Sequence, residues 1–245
     1  MVGILVQLAI SWLVIWFFEK GNLSVLGLLP TRKRLIDFMI FFLLTAICCA
    51  SDFFLRMYFA KQRWTVNPDL SFNLILSGTW WNIKSVIFEE LIFRGVLLYI
   101  LIKKLGASKA ILISATCFGI YHWFSQEAFG NITQMAIIFT ITGIMGLLYA
   151  YGYVKSFSLY IPCAIHLGWN ITRSVIFSET NIGDQLYIPV KPIPEVTVSY
   201  PLFFFLLVFP MASALLANYL VLKRRKQPEP LLQNTNKKSE LITIK

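Results

Sequence analysis

Apolar residues run along this chain in long blocks, and the polar residues collect in the connections between them. Residues 1–18, 128–154 and 196–222 carry no charged side chain, and about 20 such residues in a helix cross the hydrocarbon core of a bilayer. The pattern predicts about seven membrane helices, at roughly 2–18, 36–60, 84–102, 109–125, 131–153, 156–176 and 201–222. The segment 61–83, with Trp64, Pro68, Trp80 and Trp81, reads as a loop followed by an interfacial stretch, because Trp settles at the headgroup level. The connection 177–200 is polar and carries Pro189, Pro192 and Pro194, with Pro201 just beyond, which excludes a regular helix. The first block lacks a basic leader and a small-residue cleavage site, so it is expected to be an uncleaved first span. The expected fold is an all-α, polytopic membrane helix bundle forming a single membrane-embedded domain over 1–245, with a polar tail at 227–245 and no internal repeat.

Composition agrees with this pattern. Of the 245 residues 57% are apolar and 14% charged, against about 25% charged in a typical soluble domain, and the mean hydropathy is +0.68. The net charge of +10 does not point to nucleic acid, because the cations sit at the ends of apolar blocks: Arg32, Lys33 and Arg34; Lys103 and Lys104; Lys223 to Lys226. Juxtamembrane loops have this appearance. Placing the loops 19–35 and 103–108, Lys109, Lys155 and the tail on one side gathers 15 of the 22 Lys and Arg, whereas Lys61, Arg63, Lys84 and Lys191 fall on the other. The expected orientation is N-terminus outside and C-terminus in the cytoplasm. Cys48, Cys49, Cys117 and Cys163 lie in apolar stretches without Cys-x-x-Cys spacing and read as packing residues.

Ionisable groups inside spans are costly and call for a partner or a purpose. The third span holds Glu89, Glu90 and Arg94. Glu90 and Arg94 are four apart on one helix face and suit an ion pair, while Glu89 points about 100° away. Glu89 is therefore the candidate to take a proton from water as a general base. The only two histidines are His122, at the end of the fourth span, and His166, in the sixth, with Asn170 one turn later on the same face. A histidine and an amide projecting together can donate to a developing oxyanion. On these boundaries Glu89 lies about five residues from the outer end of its helix, His122 near the outer end of its own and His166 near mid-span, within roughly 15 Å along the membrane normal. Asp52 and Arg56 are expected to pair, and Gly143, Gly146 and Gly152, with Ala150, to allow close helix packing. Asn131-Ile132-Thr133 matches a glycosylation sequon, a weak signal at a helix start.

Glu89-Glu90-x-x-x-Arg94, Phe118-x-x-x-His122 and His166-x-x-x-Asn170, in this order on separate apolar helices, resemble the three motifs of the CAAX prenyl endopeptidase and bacteriocin-processing family of intramembrane proteases. The resemblance covers about 89–170. It implies a catalytic core at about 84–176 with the site between the third, fourth and sixth spans. Glu89 and His122 would activate water, His166 and Asn170 would stabilise the oxyanion, and Glu90, Arg94 and Phe118 would support them. No cofactor is implied. The alternative is zinc held by Glu89, His122 and His166 with one position open for water. The implied substrate is a membrane-associated protein or peptide, met in the lipid of a plasma membrane of bacterial type. A non-catalytic immunity protein or a proton-coupled carrier would also place ionisable residues in spans, but the chain lacks the inverted repeats and broken helix pairs of carriers. A reporter enzyme fused at the C-terminus is expected to be active only as a cytoplasmic fusion; extracytoplasmic activity would reverse the orientation.

Overall fold

The computed structural model describes residues 2–226 and 228; the expected polar tail otherwise lies outside them. Helix α1 covers Val2–Glu19 and leads through a 3₁₀ turn at Leu23–Leu26 to α2, Arg32–Phe59. A short strand β1, Trp64–Val66, precedes α3, Phe72–Arg94, and α4, Val96–Leu105. Helices α5, Ala107–Ser125, and α6, Ile132–Val154, follow. Then come α7, Tyr160–Ile171, with a π-helical turn at Thr172–Ile176, strand β2, Tyr187–Pro189, and α8, Tyr200–Lys223.

The protein is thus a helical membrane bundle. By length and apolar composition α1, α2, α6 and α8 are able to cross a membrane. Their outward residues stay apolar: Leu5, Ile47, Ile137 and Leu207 are all more than half exposed. Lipid is the solvent that accepts such a surface, since side-chain burial inside the protein is not needed to remove them from water. The connection 177–199 forms no helix, and its β2 pairs antiparallel with β1 in the register Trp64↔Pro189, Thr65↔Ile188, Val66↔Tyr187.

Two expectations are corrected. Of the segment 61–83, residues 61–71 form the expected connection, with β1 inside it, but the third helix starts at Phe72 rather than near 84, begun by Ser71, whose Oγ accepts from the Leu74 amide at 3.2 Å. Trp80 and Trp81 lie in this helix, whereas Trp64 begins β1. The third span is also not continuous over 84–102, because α3 stops at Arg94 and α4 begins at Val96. Gly95 adopts φ −81° and ψ −136° there, and a Cβ at this position would collide with the Leu91 carbonyl oxygen. The depth expectation based on a helix start near 84 falls with this, for Glu89 stands five residues before the end of α3 rather than near its beginning. Asn131 caps α6, its Oδ1 accepting from the Gln134 amide at 3.1 Å.

The chain folds as two compact units. One comprises the described residues of Met1–Asp37, Ile87–Cys163 and Leu222–Lys245. Its core joins Ile15, Leu26, Leu98, Tyr99, Ala150 and Tyr153, all fully buried. The other comprises Phe38–Val86 and Ala164–Val221. Here Gly168 of α7 lies so close to α2 that a Cβ would press on the Phe42 carbonyl and the Thr45 side chain. Asn218 of α8 reaches Thr45 Oγ1 at 3.0 Å, and the rings of Phe53 and Phe177 stack at 3.8 Å. Gly95→Ala is expected to lower stability by roughly 2 kcal/mol or more, read as a fall in the thermal unfolding midpoint of the purified protein in detergent.

Candidate active site

The first unit builds its polar interior around Arg94. The guanidinium and the Glu90 carboxylate, one helical turn apart on α3, pair at 3.2 Å with no exposed side-chain surface on either. An ion pair so buried needs its remaining polar atoms satisfied. Arg94 Nη2 donates to the Gly146 carbonyl of α6 at 3.2 Å. Aromatic faces take the rest of the cation: its Cζ lies 4.1 Å from the Phe118 ring centroid and 5.1 Å from that of Tyr149. Gly146 makes room for this, since a Cβ there would be 3.1 Å from both Arg94 Nη2 and Phe118. The small-residue expectation for α6 therefore has a definite content at Gly146: the missing side chain is the space the guanidinium occupies.

Glu89 leaves α3 on the adjacent face and meets His122 of α5, with Oε2 and Nε2 3.9 Å apart and side-chain exposures of 13% and 11%. The imidazole is fixed from two directions. Its Nδ1 lies 2.8 Å from the Phe118 carbonyl, which can only accept, so Nδ1 carries a proton. Its ring packs edge-on to Phe118 at 4.4 Å. With Nδ1 committed to that carbonyl, Nε2 is the ring nitrogen that faces the carboxylate. At 3.9 Å these two atoms are too far apart for a direct hydrogen bond, and the spacing suits a bridging water molecule. A carboxylate and an imidazole so placed can take a proton from such a water.

His166 and Asn170 belong to the second unit, on α7. They are one turn apart, His166 buried and Asn170 half-buried. Directly after them the helix widens into the π-turn at Thr172–Ile176, a deviation common at functional sites. Its Ser174 Oγ donates to the Asn170 carbonyl at 2.6 Å and accepts from Asn82 Nδ2 of α3 at 2.8 Å. Sequence reasoning passed over Asn82, although a fully buried amide in an apolar helix is itself a signal. It also found only one edge of a larger charge ring. Arg56 pairs with Asp52 at 3.1 Å, as expected, and with Glu179 at 2.6 Å; Arg173 of the π-turn closes the ring through Asp52 at 3.3 Å and Glu179 at 3.0 Å. Glu179 lies in the proline-rich connection, so no helical spacing links it to Arg56.

A family model described as type II CAAX prenyl endopeptidase Rce1-like matches residues 31–172, more than half of the 245. The matched stretch runs from α2 into the π-turn and contains Glu89, Glu90, Arg94, Phe118, His122, His166 and Asn170. No curated protein and no solved structure matches the chain.

Because Glu90 is fully buried beside its partner, Arg94→Met is expected to cost about 3–5 kcal/mol by leaving that carboxylate uncompensated. Adding Glu90→Gln is expected to restore part of the loss, and a thermal-unfolding double-mutant cycle in detergent checks both.

Proposed function

Since the chain belongs to the type II CAAX prenyl endopeptidase Rce1-like family, we propose that it is an intramembrane endopeptidase that hydrolyses a peptide bond in a membrane-associated protein or peptide with water activated by Glu89 and His122. The observation that carries this reading is the 3.9 Å approach of Glu89 Oε2 and His122 Nε2, with the Nδ1 proton held by the Phe118 carbonyl.

In the proposed reaction, water between these two groups gives a proton to the Glu89 carboxylate as its oxygen bonds to the scissile carbonyl carbon. The carbonyl oxygen becomes an oxyanion, and hydrogen bonds from His166 and Asn170 stabilise it, each donor worth about 3–4 kcal/mol in enzymes of known behaviour. The proton then passes to the amide nitrogen as the carbon–nitrogen bond breaks. Glu90, Arg94 and Phe118 touch no reacting atom; they hold the α3 and α5 backbones from which Glu89 and His122 project. No cofactor takes part. The proposed setting is a plasma membrane of bacterial type, with the C-terminus in the cytoplasm.

Purified protein assayed on a membrane-tethered fluorogenic peptide is expected to lose about 10²- to 10⁴-fold in turnover with Glu89→Gln or His122→Ala, and about 10²- to 10³-fold with His166→Ala or Asn170→Ala, at an unchanged unfolding midpoint. Full cleavage by Glu89→Gln would sink the base assignment. Turnover is expected to survive a strong chelator; its loss, restored by zinc, would instead assign Glu89, His122 and His166 as metal ligands.

A further inference from the structure

Four helix ends of the first unit, the start of α2, the end of α6, the start of α7 and the end of α8, surround a cavity of about 650 Å³. Among the described residues its wall carries Lys33, Arg34, Lys155, Arg225 and Lys226 against the single carboxylate of Asp37, five cations to one anion and a net charge of +4. Asp37 is already engaged: both of its oxygens accept from Arg225, each at 2.8 Å. Arg34 donates to the Leu29 carbonyl at 2.7 Å and Lys155 to the Arg225 carbonyl at 2.9 Å. Those partners are neutral, so they orient the two cations without cancelling their charge. The excess positive potential is thereby fixed in place around an open volume.

The cavity is separate from the Glu89 and His122 pair. It stands at the Val154 end of α6, whereas His122 precedes the turn that leads into the Ile132 end, and 23 residues of helix span about 33 Å at 1.5 Å per residue. It also lies where the apolar helices end, the level at which lipid headgroups are found. The basic residues around it belong to the set that the positive-inside count assigns to the cytoplasmic leaflet, whose surface is anionic.

We infer that this cavity is a binding site for a phosphate-bearing anion, the headgroup of an acidic phospholipid. The phosphate is held by Lys33 and Lys155, with Arg34 and Arg225 behind them. The volume admits a glycerol phosphate headgroup, being within the range of small-ligand pockets. The site ties the ends of four helices through one lipid.

The test uses the full chain in detergent micelles, titrated separately with short-chain phosphatidylglycerol, phosphatidylcholine of the same chain length and inorganic phosphate, reading the thermal unfolding midpoint. Phosphatidylglycerol is expected to raise the midpoint saturably, and the other two are not. Lys33→Gln with Lys155→Gln is expected to raise the apparent Kd at least tenfold. Lys104→Gln with Lys109→Gln, exposed cations of the same unit outside the cavity, is expected to leave it within twofold. Should the double variant fail to fold, the exposed Lys33→Gln alone is expected to raise the Kd about threefold. Equal protection by phosphatidylcholine, an unshifted Kd in the cavity variants, or an equal shift in the Lys104 and Lys109 control overturns the site. Protection by inorganic phosphate at the same concentration overturns the lipid as its source.

Discussion

A guanidinium with no exposed surface, in a protein whose outer helices are wetted by lipid rather than water, is the constraint on which the first unit depends. Arg94 cannot reach solvent, so each side of its charge must be met by something in the fold. Glu90 meets it along α3, the Gly146 carbonyl meets it from α6, and the rings of Phe118 and Tyr149 meet it from α5 and α6. Three helices are held at one level by a single side chain. The same node sets the chemistry above it. Glu89 adjoins Glu90 in the chain, and His122 is one turn beyond Phe118, whose carbonyl also engages its Nδ1. Any slippage of α5 against α3 that separated Glu89 from His122 would also pull Phe118 off the guanidinium.

The second unit solves a related problem with a different device. Where α7 gives way to the π-turn, the wider backbone leaves polar groups to be satisfied outside the regular helical ladder. Ser174 and Asn82 do so beside Asn170, and the ring of Asp52, Arg56, Arg173 and Glu179 anchors the same turn to α2 and to the connection beyond it. These four side chains are partly exposed, and the aromatic faces of Phe53 and Trp64 lie against Arg56. Charge and packing together thus hold the segment carrying His166 and Asn170, with the β1–β2 pair closing the connection.

Membrane embedding made the architecture legible. Uncharged apolar blocks can only be lipid-facing or buried helices, because neither loops nor open strands satisfy their backbone in hydrocarbon. The Glu90–Arg94 and Asp52–Arg56 pairs were legible for the same local reason, since residues four apart on a helix face one another whatever surrounds them. Three motifs in order on separate helices carried the family. Tertiary structure alone decided the rest. The early start of α3 rests on Ser71 and on the burial of Asn82 by a helix far along the chain. Its break rests on a backbone collision that only Gly95 avoids. Nothing in the spacing of Glu89 and His122 specifies 3.9 Å, because that distance is the outcome of α5 packing on α3 through Phe118 and the guanidinium of Arg94. Local periodicity determined which residues could share a helix face; contacts between residues distant in sequence determined which faces meet, because no period along a chain encodes the separation of two helices.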